Sequence, residues 1–528
     1  MRWDRMKDAL HFLADERAFR LRLFCEGTLV GIGVGVVVAL FRWVLELTEI
    51  YRPVLFDWMK ESFPVGFLGW GLFLLWIAWL LARFLDAEPL ISGSGIPQVK
   101  GILLGRIRMN AQRVLALKFV GGVLAIGAGM SLGREGPSVQ LGACVGQWFS
   151  RLRLRPRSEE RFLLTAGSGA GLAAAFNAPL AGVIFCLEEL TKMFSPLVLM
   201  ATVAATVSAA TVAGSILGLT PVFHIGELPT MAISQYFWLF PLGVFVGGLG
   251  VLFNRTLMAT LDAYQRFSNG AAKFLLPLFL AFGLAFILPQ VLGGGSALVD
   301  TMIRQDFTLT FLLILLAAKF SFTMLSFGSG VPGGIFLPML VLGALAGAVF
   351  AKVMTLAGVF DETLTKGFII YGMAAYFAAV VRAPITGSVL IMEMTGSFHH
   401  MLALIFVSLT AYLAADVLHG APVYDMLLER LLRVRAKVRK VTAHHRTITE
   451  FIVGEGSRLD GKTIAETTWP EECLLVQVRR GETELIPTGP LVLQSGDFIY
   501  ALADDGDIAE LEELAEENVH SDKDGTIR

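Results

Sequence analysis

The chain has 528 residues, 55% of them hydrophobic and only 17% charged, with a formal net charge of -2 and a mean hydropathy of +0.65. A soluble domain carries about a quarter charged residues, so composition excludes an ordinary soluble globular protein and points to a membrane body. Charge is uneven: residues 446–528 hold 19 acidic and 7 basic side chains, leaving 36 basic and 26 acidic before them, so an acidic, water-facing appendix follows a basic membrane portion. The four cysteines, Cys25, Cys144, Cys186 and Cys473, are isolated, with neither metal spacing nor a disulfide framework.

In chain order, residues 1–22 read as an amphipathic cytoplasmic helix, with Trp3, Met6, Leu10 and Leu13 at helical spacing and no secretory signal. Apolar stretches follow at about 24–48, 65–84, 115–132, 138–149, 162–178, 180–191 and 195–218. A second series runs through 234–254, 272–292, 309–327, 335–356, 367–381, 385–396 and 401–419. A spanning helix needs about 20 apolar residues. Several runs are shorter or cut by Gly and Pro, the pattern of broken helices around a transport site. Basic clusters at Arg17/Arg20/Arg22, Arg106/Arg108/Arg113, Arg151–Arg157 and Arg430–Lys440 agree with one topology, in which both termini are cytoplasmic.

Two patterns recur. Ser131-Leu-Gly-Arg-Glu-Gly-Pro137 aligns with Ser326-Phe-Gly-Ser-Gly-Val-Pro332 at an offset of 195. Ala178-Pro-Leu-Ala-Gly182 with Glu188 aligns with Ala383-Pro-Ile-Thr-Gly387 with Glu393 at an offset of 205, each reading A-P-x-x-G-x5-E. Same-order repeats argue for duplicated halves, about 23–220 and 221–430; the motifs alone leave parallel or inverted topology open.

Glu135 is the most informative residue. It lies between Gly133, Gly136 and Pro137 in an apolar, glycine-rich region, and an ionisable group at bilayer depth marks an ion or proton path. Three glycine-rich elements precede or open apolar segments: Gly93-Ser-Gly-Ile-Pro97, Gly133-Arg-Glu-Gly-Pro137 and Gly333-Gly-Ile-Phe-Leu-Pro338. Helix N-termini present free N–H groups and a positive dipole end, so three that converge can hold an anion without a formal cation. Lys118, Lys319 and Arg382 lie in or beside apolar runs and are read as structural, as is Glu393. No H-E-x-x-H occurs and no G-x-S-x-G stands in a strand–turn–helix context, so an enzyme is not expected, nor is a metal or other cofactor.

With Gly169–Gly182 and the late Pro422-Val-Tyr424, these motifs resemble the CLC family of chloride channels and chloride/proton antiporters over roughly residues 20–430. The resemblance implies an all-α polytopic membrane fold of two inverted-topology repeats with many short, tilted or broken helices. It also implies a homodimer with one pore per subunit. Carried over by motif, Ser94 and Tyr424 offer hydroxyls to a central chloride, and backbone N–H groups of Ile335 and Phe336 complete the site, with Gly93, Arg134, Gly136 and Gly334 beside it. Glu135 becomes the gate and external proton site, and Glu189 the internal proton relay. Because channel relatives usually lack the second acid, Glu189 favours coupled exchange, with a passive voltage- or pH-gated chloride channel as the alternative. Ser94 and Pro137 are both retained, which the resemblance reads as chloride preference. The expected setting is a bacterial inner membrane, with membrane lipid around the body and no nucleic-acid partner.

After a basic linker at 431–444, residues 445–517 read as a small α+β unit, with strands near 448–453, 474–479, 484–486 and 496–501 and a helix near 508–517. Leu459-x-Gly461-Lys-Thr-Ile464 and Gly496-Asp497 resemble the TrkA-C ligand-binding lobe, which implies a cytoplasmic regulatory dimer and a small ligand. Gly456–Thr463 also fits the phosphate-loop pattern G-x-x-x-x-G-K-[ST], but the tail is too short for a nucleotide-hydrolysing domain and Pro470 follows too soon for a phosphate-binding helix. Residues 518–528 are expected to be a disordered tail.

Overall fold

The computed structural model describes residues 2–223, 231–266, 270–359, 364–439, 446–454, 456–470, 473–481, 483–504 and 508–515. The end of the expected linker, 440–444, and the tail 518–528 lie outside the described residues. The chain divides into two units, Met1–Leu431 and Leu432–Arg528.

The first unit is helical. Its first half comprises α1 (Arg2–Glu61), α2 (Val65–Ala87), α3 (Ile96–Leu103), α4 (Ala111–Gly127), α5 (Glu135–Leu152), α6 (Arg157–Phe176), α7 (Pro179–Phe185) and α8 (Pro196–Leu217). The second comprises α9 (Leu239–Tyr264), α10 (Ala272–Ile287), α11 (Ser296–Arg304), α12 (Leu309–Gly328), α13 (Phe336–Leu356), α14 (Thr365–Val381), α15 (Pro384–Thr395) and α16 (Met401–Val417), and α17 (Val423–Arg439) follows. The helix expected over residues 1–22 runs without a break into the first apolar segment, because no Gly or Pro interrupts it there. Among the described residues, seven helices are long and apolar enough to cross a membrane. This is a multi-pass membrane protein.

The halves are inverted copies. The loops that open α5 and α13 meet head-on: Gly133 N–H donates to Gly334 O (2.7 Å) and Gly334 N–H to Gly133 O (2.8 Å), an antiparallel bridge across the pseudo-two-fold. The same relation governs packing. Lipid supplies no hydrophobic drive between helices, so close backbone approach through small residues must hold them. Gly142 on α5 faces the Gly167 carbonyl of α6, and Gly343 on α13 faces the Gly372 carbonyl of α14; a Cβ at either glycine would strike the opposite backbone. Gly133 and Gly142 thus correspond to Gly334 and Gly343, an offset of 201. The expected 195 alignment of the Ser131 and Ser326 motifs is corrected: Ser326 lies within α12, and its Oγ accepts from Ser131 N–H (3.1 Å). The two serines are contact partners rather than equivalents. The 205 offset of the A-P-x-x-G motifs does hold, with Pro179 opening α7 and Pro384 opening α15.

α13 is sheathed by protein along nearly its whole length, whereas α2 presents Leu68, Leu72, Leu75, Trp76 and Trp79 outward, a face suited to lipid.

The second unit has a four-stranded antiparallel sheet of order β1-β4-β2-β3, formed by β1 (Arg446–Ile452), β2 (Leu474–Arg480), β3 (Thr483–Leu485) and β4 (Phe498–Asp504), with α18 (Ile508–Ala515). Phe451, Leu459, Val478, Leu493, Ile499 and Leu511 form its core. The phosphate-loop pattern ends in a single 3-10 turn, Ile464–Glu466, rather than a helix. Thr463 Oγ1 accepts from Glu466 N–H (3.3 Å) and Glu466 Oε2 from Thr463 N–H (3.0 Å). This capping box uses the groups a phosphate would need.

Candidate functional site

Glu135 opens α5 with Arg134 at the cap, as α13 opens at Phe336 with Ile335 at the cap and α3 opens at Ile96 behind Ser94. Each start has a local cause. Gly93 (φ +62°) and Gly95 (φ +96°) give the left-handed turns before α3, and Pro97 sits in its first turn, where a missing N–H costs nothing.

The three glycine-rich segments are hydrogen-bonded into one body. Besides the Gly133–Gly334 bridge, Gly93 N–H donates to Val331 O (3.1 Å) and Gly333 N–H to Gly93 O (3.0 Å). Ser92 Oγ donates to Gly330 O (2.8 Å), and Lys118 Nζ donates to Ile91 O (2.8 Å) and Gly93 O (2.6 Å). α5 closes on this body at Gly136, where a Cβ would come 2.7 Å from Ser94 Oγ; a Cβ on Gly334 would come 3.1 Å from Gly136 N. Gly93, Ser94, Arg134, Glu135, Gly136, Gly334, Ile335 and Phe336 are therefore neighbours, brought together from three separate segments.

Glu135 is fully buried, and no side chain among the described residues hydrogen-bonds its carboxylate, which faces the backbone N–H groups of Leu337 and of Glu135 itself. A Cβ on Gly133 would strike Glu135 Oε2 and come 3.1 Å from Leu337 N, which puts the carboxylate at the N-terminus of α13. A carboxylate facing helix N-termini occupies a place where an anion is also stabilised. Ser94 is 2% exposed; its Oγ accepts from Ile96 N–H (3.3 Å), which leaves its own O–H to donate. Tyr424, in the first turn of α17, is fully buried, and its hydroxyl is likewise without a partner among the described residues.

Glu188 and Glu189 share a single π turn, Cys186–Leu190, a geometry that often marks functional sites. The turn sends these adjacent carboxylates to different partners. Glu188 accepts from Ile385 N–H (3.2 Å) and Thr386 N–H (2.7 Å) at the start of α15. Glu189 pairs with Lys100 Nζ at 2.8 Å, and Lys100 also pairs with Asp425, which in turn holds Lys192 Nζ at 2.8 Å.

Sequence reading missed Lys100, Asp425 and Lys192, and also Glu46, which pairs with Arg134 (3.4 Å). The available signal was a lysine inside the otherwise uncharged helix Ile-Pro-Gln-Val-Lys-Gly-Ile-Leu and an aspartate beside Tyr424. Lys118 and Lys319 are buried donors to backbone carbonyls, Lys319 to Val291 O (2.9 Å) and Gly293 O (2.8 Å), equivalent places in the two halves. Arg382 donates to Tyr412 O and Gly420 O, both at 2.6 Å. Among the described residues no cluster of metal-ligating side chains occurs.

Interlocked inverted helical halves, with a buried acid where helix N-termini converge, define a polytopic membrane transport protein. The chain belongs to the CLC family: residues 71–416 match the family described as voltage gated chloride channel. Residues 448–516 match the TrkA-C domain. The chain is 39% identical over 454 residues to the H(+)/Cl(-) exchange transporter ClcA of Vibrio cholerae, covering 81% of this chain and 93% of the relative. It is 35% identical over 442 residues to ClcA of Citrobacter koseri, covering 81% and 92%. A solved structure of a slow cyanobacterial Cl-/H+ antiporter superposes with a TM-score of 0.74 at 31% identity, over 78% of this chain and 98% of that one. A eukaryotic CLC transporter shares the fold, with a TM-score of 0.67 at 23% identity over 84% and 79%.

Proposed function

We propose that this protein is a secondary active antiporter that exchanges chloride for protons across a bacterial inner membrane. The observation that carries the reading is Glu135: a fully buried carboxylate with no side-chain hydrogen-bond partner among the described residues, facing backbone N–H groups at the N-terminus of α13 and beside Ser94 and Gly136. Ionised, it competes with an anion for the N–H dipoles there; protonated, it loses that attraction and yields the place to chloride. Competition of one acid and one anion for one site links proton uptake to chloride entry.

In this reading the Ser94 and Tyr424 hydroxyls and the Ile335 and Phe336 N–H groups bind the central chloride, with Gly93, Arg134, Gly136 and Gly334 shaping the path. Glu189 takes protons from the cytoplasmic side. A passive channel needs no second buried acid, and Glu189, 2% exposed on its π turn, speaks for exchange. The transport body spans 23–430 after a cytoplasmic helix at 1–22. The linker 431–444 leads to a cytoplasmic TrkA-C unit at 445–517 that responds to a small ligand, and both termini are cytoplasmic. Two copies pair within membrane lipid, each with its own pore.

The test is purified protein in liposomes under a chloride gradient, with the membrane potential held near zero by potassium and valinomycin. Uphill proton movement driven by chloride supports the antiporter. Chloride flux with no proton movement makes the protein a channel.

A further inference from the structure

Lys100 is a single ammonium held between two carboxylates. Its Nζ lies 2.8 Å from Glu189 Oε1 and also pairs with Asp425 Oδ1, while Asp425 Oδ2 lies 2.8 Å from Lys192 Nζ. Exposure rises along this chain: 3% for the Glu189 side chain, 6% for Lys100, 35% for Asp425 and 53% for Lys192. A run of alternating charges thus leads from water to the buried acid. Its two middle members lie on elements that carry or directly follow other site residues. Lys100 is on α3, directly behind Ser94, and Asp425 follows Tyr424 in α17. α3 and α17 are in direct contact, since a Cβ on Gly101 would come 3.0 Å from Leu428 Cδ1.

We infer that Lys100 is a positioning residue that shares its charge between Glu189 and Asp425, so that a proton on Glu189 tightens the hold of α3 on the segment bearing Tyr424. The inference rests on the exchange reading. With Glu189 ionised, the ammonium divides its attraction between two anions. When Glu189 takes a proton, only a hydrogen bond to a neutral carboxyl remains on that side, and the buried charge must be balanced by Asp425. Proton arrival at the inner acid is thereby felt at both side chains that the reading assigns to the central anion. The charged and titratable groups in this cluster are Lys100, Lys192, Asp425 and Tyr424; Glu188 is turned away to cap α15. A salt bridge that merely fastened α3 to α17 would have no directional effect on proton delivery.

The direction supplies the test. Full-length wild type, Lys100→Met, Lys100→Arg and Asp425→Asn are reconstituted in liposomes, and exchange is followed against internal pH. Removing the ammonium disfavours the Glu189 anion, so in Lys100→Met the internal pH of half-maximal exchange rises by about one unit. Removing the competing anion leaves Lys100 wholly to Glu189, so in Asp425→Asn the midpoint falls, and Lys100→Arg returns it toward wild type. Opposite shifts support the inference. Midpoints that stay at the wild-type value, or move the same way in both variants, overturn it. If Lys100→Met does not fold, Asp425→Asn decides alone, and a midpoint that does not fall overturns the inference. Failure of the exchange reading is seen separately, as wild type that moves chloride without protons.

Discussion

Glu188 and Glu393 cap each other's half of the molecule. Glu188 accepts from Ile385 N–H (3.2 Å) and Thr386 N–H (2.7 Å) in the first turn of α15, and Glu393 accepts from Leu180 N–H (3.0 Å) and Ala181 N–H (2.7 Å) in the first turn of α7. In each A-P-x-x-G-x5-E motif, the glutamate answers the proline turn of the other copy. Carboxylates at helix N-termini satisfy orphan N–H groups and the dipole together.

Removing one cap therefore weakens the seam without touching the ion path. Glu393→Ala leaves two N–H groups without their charged acceptor, a loss of about 1.5–3 kcal/mol per charged hydrogen bond in full geometry. The expected result is a lower unfolding temperature in detergent with an unchanged proton-to-chloride ratio in liposomes. An unchanged unfolding temperature would contradict the capping role.

Lys118 and Lys319 make equivalent bonds in the two halves, but only Lys118 holds the loop of Ser94. Lys118→Met frees the carbonyls of Ile91 and Gly93, and Lys319→Met those of Val291 and Gly293. Leaving buried acceptors unsatisfied costs about 1–3 kcal/mol each, so both variants lose stability. Chloride affinity, read by calorimetry, should fall in Lys118→Met and hold in Lys319→Met. Equal affinities in the two variants would refute the distinction.

Gly136 offers a steric test of the same loop. An added methyl would come 2.7 Å from Ser94 Oγ and 2.8 Å from Ser94 O, so Gly136→Ala must displace Ser94. Chloride binding should weaken by about tenfold, on the order of 1.4 kcal/mol. Gly69→Ala is the control: nothing lies within 4 Å of its Cβ, and alanine in a helix interior gains about 0.5–1 kcal/mol over glycine. Wild-type chloride affinity in Gly136→Ala would rule out the contact as a determinant.

The appendix carries its own acid sensitivity. Burial raises the Asp497 carboxyl, but hydrogen bonds from Arg480 (2.8 and 2.7 Å) and from Gln494 N–H (2.9 Å), with the Arg480 charge, outweigh it and hold the group below its ordinary value. A carboxyl depressed on folding stabilises the unit fully above its unfolded pKa of about 4, and that stability is lost as pH falls through the folded value. Arg480→Met removes the larger share of the compensation and leaves only the Gln494 N–H bond against burial, so the folded pKa moves up toward the unfolded value and the stability lost on acidification shrinks. Hydrogen exchange across β1 and β4, corrected for intrinsic rates, reads this directly. The same acid profile in both proteins would exclude the pair as its source.

Much of this architecture was legible in sequence. The interrupted apolar runs became short helices, and Glu135, set among Gly133, Gly136 and Pro137, lies at the meeting of the halves, because glycine and proline mark where helices start and backbones approach. The π turn was not legible, and without it Glu188 and Glu189 look like one acidic pair rather than a cap and an ion-pair partner. Lys100 finds Glu189 across 89 residues and Asp425 farther still, and no local periodicity encodes such pairings. The 195 offset went astray for a related reason: glycine-proline spacing repeats within the loops themselves, and only the Gly133–Gly334 bridge fixes the register.

The most direct measurement is of both fluxes in Glu135→Gln, reconstituted beside wild type under the same chloride gradient. Glutamine keeps the shape of the side chain but cannot ionise. The account predicts that proton movement falls to background while chloride still passes. Uphill proton movement retained in this variant would contradict the assignment of Glu135 as the group that links the two ions.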